Sequence, residues 1–247
     1  VWRILALSVA AIATALSASA QETATKERRI RVLANGLYNP MGFDFTDHST
    51  FTAFVEEGES RRTYEGGRGL VFEVGGIMDI RKGLGVMGSV EIYRSDFEAT
   101  FEESLPHPFY FDRPREVSGT VTDLDYHETA VHADLVYTRV LPRWTLDLFL
   151  GPTFFFTNTE VLSSVNTASQ YPFDEATVSS TSSTQLDDNP IGFNGGGAIT
   201  WRWTELVGLA FQARYSRGSI GISREGGEEI DLDAGGLRLG GGLRLSF

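Results

Sequence analysis

The sequence predicts an all-β fold, an antiparallel up-and-down barrel in which one sheet supplies both an inner and an outer wall. Three observations predict it. Between residues 29 and 247 the chain breaks into about eight segments whose apolar residues recur at every second position, the period of a strand. Tight connections alternate with long ones, as in barrels whose turns gather at one end. Beyond residue 20, Gly, Asp, Glu and Arg interrupt every apolar run before it reaches the length of a membrane helix.

The first strand, residues 30–38, sets Val32 and Ala34 against Arg31 and Asn35. In the second, Leu70, Phe72, Val74, Gly76 and Met78 oppose Val71, Glu73 and Gly75. The third sets Leu84, Val86, Gly88, Val90 and Ile92 against Gly85, Ser89 and Glu91; the fourth sets Thr129, Val131, Ala133, Leu135 and Tyr137 against Glu128, His132 and Asp134. The fifth alternates Trp144, Leu146, Leu148, Leu150, Pro152, Phe154 and Phe156 with Thr145, Asp147, Phe149, Gly151 and Thr153. Pro152 has no N–H to give a neighbour, so a bulge or a weakened pairing is expected there. The sixth carries Ile191, Phe193, Ile199, Trp201 and Trp203 against Asn194, Ala198, Thr200 and Arg202, and the seventh Val207, Leu209, Phe211, Ala213 and Tyr215 against Gly208, Ala210, Gln212, Arg214 and Ser216. The last alternates apolar with small or charged residues from Leu237 and stops on Phe247.

Arg81-Lys82-Gly83, Pro142-Arg143 and residues 202–206 read as tight turns. Residues 39–67, 100–122 and 156–189 are long connections, and 224–229 a shorter one. Strand-like alternation persists within them, in Phe51-Thr52-Ala53-Phe54-Val55, Phe97-Glu98-Ala99-Thr100-Phe101 and Ala176-Thr177-Val178, so strands are expected to pair on beyond the barrel wall as hairpins.

Alternation alone does not say which face looks inward, and a soluble barrel would bury the Leu and Phe side. The aromatic terminus, the asymmetry of the connections and a polar face rich in Gly and in both signs of charge favour a transmembrane barrel with the apolar face in lipid. Eight strands leave an interior that side chains just fill. Glu73, Glu91, Glu128, Asp134 and Asp147 can interlock there with Arg31, Arg202, Arg214, Arg238 and Arg244, because mixed signs can be satisfied where one sign would be prohibitive. The lumen is therefore expected to be plugged. Trp144, Trp201, Trp203 and Phe247 at one end, and Phe154, Phe156, Phe193 and Tyr215 at the other, suit aromatic girdles at two lipid interfaces.

Arg3, an apolar run over residues 4–16 and Ala18-Ser19-Ala20 read as a secretory signal peptide over residues 1–20, cleaved after Ala20. Residues 21–28 are then a short periplasmic segment and residues 29–247 the barrel domain. The formal net charge of −12 disfavours nucleic acid as a partner. The absence of Cys excludes disulfides, thiolate metal sites and Cys nucleophiles.

His127-Glu128-Thr129 and His132 raise the question of a nucleophile–base set, but neighbours in a strand point to opposite faces, so a structural role is expected and no catalytic residue is assigned. The acids Glu225, Glu228, Glu229, Asp231 and Asp233, like Asp187-Asp188-Asn189, lack the ligand spacing of a calcium loop and read as solvated loop ends. Gly240-Gly241-Gly242 lies within a strand, which removes a phosphate-cradle reading. No metal or cofactor is expected. Residues 105–114, with Pro106, His107, Pro108, Phe109, Tyr110 and Phe111, form the most distinctive loop. His107, Phe109, Tyr110 and Phe111 are candidates for an external contact site; the favoured expectation is that the aromatics fold back and cap the barrel mouth. Tyr171-Pro172-Phe173-Asp174 reads as another hairpin apex, and the Ser/Thr run over residues 179–184 as mobile or as a strand edge.

The leader, the strand rhythm and the closing Phe247 resemble the small bacterial outer-membrane β-barrel proteins, the OmpA-transmembrane-domain-like or porin-like group. The resemblance implies that Leu243, Leu245 and Phe247 form the insertion signal read by the barrel-assembly machinery. It implies outer-membrane lipid and lipopolysaccharide as surroundings, periplasmic turns and termini, and extracellular hairpins. It is compatible with a structural or adhesin-like surface-interaction protein whose ligand is unspecified, with a narrow channel for small or hydrophobic solutes and, more weakly, with a lipid A-modifying enzyme. From the last pattern the chain departs, since Thr129 stands where Ser is expected.

Overall fold

The computed structural model describes residues 30–81, 83–223 and 229–247, without the side chains of Phe43 and of residues 220–233. The proposed leader and the segment before Ile30 lie outside the described residues, as do Glu225 and Glu228. The described residues form eleven strands: β1 (Ile30–Asn39), β2 (Phe43–Ala53), β3 (Glu56–Gly66), β4 (Gly69–Arg81), β5 (Leu84–Leu105), β6 (Arg115–Val140), β7 (Trp144–Ala168), β8 (Thr177–Asp188), β9 (Ile191–Arg202), β10 (Val207–Ser223) and β11 (Glu229–Ser246). Every pairing is antiparallel. Eight strands close a ring in the order β1-β4-β5-β6-β7-β9-β10-β11, shut by β1 against β11 from Arg31↔Ser246 to Tyr38↔Leu239. Closure leaves the wall without an edge, which hydrocarbon requires because it offers no partner to a free N–H or C=O.

The other three strands fill the long connections. β2 and β3 form a hairpin, and β3 continues the wall past the end of β4 by pairing β5 from Gly66↔Phe97 to Glu59↔Ser104. β8 does the same past the end of β9, pairing the outer half of β7. The strands β5, β6 and β7 run for 22, 26 and 25 residues, whereas a tilted strand crosses a bilayer in about 9–11. The excess stands beyond the membrane.

Within the crossing, the predicted parity holds on every strand. Leu70, Phe72, Leu135, Leu150, Phe193, Phe211 and Leu243 are exposed outward, while Glu73, Glu91, Asp134, Arg214 and Arg238 are buried inward. At Pro152 the β7–β9 ladder continues with Pro152↔Phe193, but the β6–β7 ladder stops at His132↔Thr153 and resumes at Leu135↔Leu150. That is the weakened pairing expected of a residue without an N–H.

The pattern then inverts along the same strands. On β5, beyond Tyr93, the outer positions become Arg94, Asp96, Glu98, Thr100 and Glu102, and the inner ones Phe97, Ala99 and Phe101. Outside the wall is now water, so the apolar side chains turn in. They form a buried cluster with Leu37, Tyr64, Val71, Val117, Leu124, Tyr126 and Leu162. Phe45 of β2 stacks on Tyr64 with centroids 4.4 Å apart, and packs also against Ala130, Phe155 and Ala234, which carries the β2–β3 hairpin across the mouth. Arg62 fastens it, giving an N–H to the Leu162 carbonyl at 2.7 Å.

The inner wall of β11 needs glycine at two places. A Cβ on Gly240 or Gly242 would run into the carbonyl oxygens of Gly36 and Ala34 on β1, and the one on Gly242 also into the Asn35 amide. Gly242→Ala is accordingly expected to cost about 1–3 kcal/mol through overpacking at the closing seam, read as an earlier urea midpoint in detergent micelles. Gly36→Ala, where an added Cβ meets open space, serves as the neutral control.

Candidate functional site

Two regions concentrate polar or aromatic chemistry: the lumen, and the joined ends of the long hairpins. In the lumen, alternation supplies one inward side chain per two residues from each strand, and the register stacks these in layers. Nearest the tight turns, Arg31 reaches Asp147 Oδ1 and Oδ2 at 2.8 and 2.9 Å, Asp79 at 3.0 Å and Thr138 at 2.6 Å, and Thr138 donates to Asp147 at 2.7 Å. An apolar layer of Leu33, Ile77, Met87, Val136, Phe149 and Ala198 follows.

The central layer turns on Arg214, which is fully buried. Its guanidinium lies 3.0 Å from Glu73, 3.4 Å from Asp134 and 3.5 Å from Glu91, with its carbon 4.8 Å from the Phe149 ring centroid. Gln212 and Asn35 both donate to Glu73, at 2.7 and 2.5 Å, and Asn194 donates to Asp134 at 2.7 Å. Arg244 reaches Asn35 at 2.5 Å and Gln212 at 2.8 Å, so it joins Glu73 through amides rather than directly. His132 sits between the Thr153 hydroxyl, 2.9 Å away, and Glu91 at 3.6 Å. Above, Arg238 pairs Glu128 at 3.0 Å and lies over the Tyr93 ring at 4.6 Å, while Tyr126 donates to Glu128 at 2.8 Å. The apolar cluster around Tyr93 and Phe101 then closes the mouth.

One residue departs from the expected network. Arg202 lies at the rim and donates to the carbonyls of Leu141 and Pro142 in the tight β6–β7 turn, because its place at the end of β9 puts it against the backbone of that turn. Asn35, Gln212, Asn194, Thr138 and Asp79 were not singled out from the sequence although they hold the charges together. Their inward parity was the available signal. Glu128 is taken up by Arg238 and Tyr126, and His127 points to the other face, so the pair does not assemble a nucleophile–base set.

At the far end, Leu105 packs on the mouth cluster, but the aromatics that follow it do not fold over the mouth. Phe109, Tyr110 and Phe111 are 66%, 57% and 74% exposed. They are displaced from that role because Phe45, Tyr64, Tyr93 and Phe101 already fill it. His107 is instead buried, and its Nδ1 accepts the N–H groups of Phe109 and Tyr110, both at 3.1 Å, which ties the loop rather than offering a contact. Arg115 donates to the Pro106 carbonyl at 3.0 Å and to the Ser169 hydroxyl at 3.0 Å, Arg113 pairs Asp174 at 3.2 Å, and Phe109 packs on Phe173 with centroids 5.5 Å apart. The ends of the β5–β6 and β7–β8 hairpins are thereby joined. The run over residues 179–184 lies in β8, an edge strand exposed on both faces.

No family model matches the chain, and no curated protein matches it. Among solved structures it is similar to the outer membrane protein OprG of Pseudomonas aeruginosa, with 11% identity over 90% of this chain and 97% of that one and a TM-score of 0.49. It is also similar to the outer membrane protease OmpT of Escherichia coli, with 7% identity, 93% and 100% covered and a TM-score of 0.49. A third is the attachment invasion locus protein Ail of Yersinia pestis, with 14% identity, 89% and 100% covered and a TM-score of 0.40. By its own closed eight-stranded ring, apolar outer belt and ion-paired interior, this chain has the build of a small outer-membrane-type β-barrel.

Removing one partner of a buried pair strands the other. Arg214→Leu leaves Glu73, Asp134 and Glu91 facing one another and is expected to lower unfolding free energy by roughly 3–5 kcal/mol, read from urea unfolding and from loss of heat-modifiable gel mobility. Arg202→Leu, at the rim, should cost far less.

Proposed function

We propose that this protein is a surface-contact protein: the barrel is an anchor, both termini and the tight turns face the periplasm, and the joined hairpins stand outside the cell. The observation that carries this reading is the exposed aromatic apex at the end of a buttressed stalk. Contiguous exposed apolar groups rimmed by polar residues mark interaction sites, whereas scattered ones do not. Here Phe109, Tyr110 and Phe111 remain open while an apolar core a few residues below is fully covered. The layered lumen supports an anchor over a channel, since fully buried Arg214 and Arg238 reach carboxylates on other strands of the ring. The outward-facing Leu243, Leu245 and Phe247 fit a role as the signal for the assembly machinery, with lipopolysaccharide packed around the outer belt.

Three outcomes test this reading. In a chain without native Cys, Phe111→Cys should react with an impermeant maleimide on intact cells and Arg143→Cys, in a tight turn, only after lysis; the reverse pattern refutes the orientation. Phe109→Ser/Phe111→Ser should reduce adhesion to cells or matrix by roughly tenfold, as loss of aromatic anchors does, with heat-modifiable mobility unchanged; full adhesion counts against the contact role. Planar bilayers holding the purified barrel should carry little or no steady current, and a stable open level would favour passage of small solutes instead.

A further inference from the structure

We propose that the joined hairpin ends insert into an apposed bilayer of zwitterionic, phosphocholine-headed lipid; this names the partner of the contact surface proposed above and rests on that reading. The first observation is the turn between β2 and β3. Phe54 and Val55 occupy its two central positions with φ of 52° and 73°. Those are the angles for which hairpins select Asn-Gly, and a β-branched residue there is strained. Neither side chain is used to cover the core: they are 57% and 90% exposed. A turn that served folding alone would carry polar or Gly residues, so two large apolar groups are held outward against the preference of the backbone. Strain of this kind points to a use outside the fold.

The second observation is convergence. Glu56 accepts the N–H of Asp112 at 2.8 Å, which ties the β2–β3 turn to residues 105–114, themselves joined to the β7–β8 end through Arg113–Asp174 and Phe109–Phe173. Phe54, Val55, Phe109, Tyr110, Phe111 and Tyr171 therefore come from three separate hairpins to one end of the molecule, Tyr171 being 86% exposed. Phe, Tyr and Val at the tips of hairpins, with polar walls behind them, are the side chains that settle at a lipid–water interface.

Charge selects the headgroup. Glu56, Glu57, Asp112, Asp174 and Glu175 stand around these tips against Arg113, engaged with Asp174, and the buried Arg115. An acidic rim repels an anionic surface and lacks the basic clusters by which anionic lipids are held. It suits a choline ammonium, which the exposed face of Tyr171 also attracts; the Tyr110 ring is already met by the Arg113 guanidinium at 5.7 Å.

The test uses the full barrel in nanodiscs with sucrose-loaded vesicles of phosphatidylcholine, or of phosphatidylcholine containing phosphatidylglycerol. The native protein should sediment with the first and several-fold less with the second, and Phe111→Trp should shift its emission to the blue on adding phosphatidylcholine. Phe54→Asn/Val55→Gly gives the turn the residues its backbone prefers, so thermal stability should hold or rise while vesicle binding falls by about tenfold or more. Equal binding to both vesicles, no binding, or undiminished binding by this variant overturns the inference. Adhesion to target cells is measured alongside. If vesicles fail but adhesion persists and is lost when the target cells are shaved with protease, the occupant is a protein and the contact reading survives. If the native protein shows no adhesion at all, both fall.

Discussion

Hydrocarbon cannot hydrogen-bond, and that constraint drives the whole molecule. It demands a closed ring, which β1 and β11 complete, and it expels every charge from the outer wall of the crossing. The charges therefore crowd a lumen too narrow to hydrate them freely, where each must find a counterpart. Arg214 meets Glu73, Glu91 and Asp134, Arg238 meets Glu128, and Arg31 meets Asp79 and Asp147. Asn35 and Gln212 add hydrogen bonds to Glu73, and Asn194 adds one to Asp134. Such a network is stabilising only while it stays complete.

The same constraint accounts for the inversion above the membrane. When the medium outside the wall changes from lipid to water, a strand of unchanged geometry must exchange the contents of its two faces, as β5 does between Tyr93 and Phe97. The interior passes at that level from a mainly ion-paired to a mainly apolar filling, which keeps the buried Arg62–Glu103 pair at 3.7 Å within it. A stalk with its own core results, and this second core, reinforced by Phe45 and Arg62 from the β2–β3 hairpin, takes up none of Phe54, Val55 and Phe111 at the tips. Fold and proposed function meet at that point: the mouth is already closed, so the exposed apex is free for a partner.

Much of the barrel was legible because side-chain direction in a strand has a period of two residues and the two media differ in polarity. Outer Leu and Phe and inner Glu and Arg could be separated position by position, and the pairing gap at Pro152 followed from its missing N–H. The hairpin strands were harder. Alternation in residues 51–55 and 97–101 showed that strands continue, but not that β3 would replace β4 beside β5 or that β8 would replace β9 beside β7, since a long connection can return to either side. Arg202 was misjudged for a related reason. Parity placed it on the inner face, yet its height along the axis left it at the rim beside turn carbonyls.

The sequence by itself determined the strand period, the polarity of each face and hence the class of protein, because these depend on neighbours one or two residues apart and on the medium each face meets. Tertiary structure alone decided which arginine meets which carboxylate, that His107 is an internal tie, and that Phe54, Phe109 and Tyr171 share one tip. Those outcomes depend on register and strand tilt across residues distant in the chain, and no local spacing encodes them.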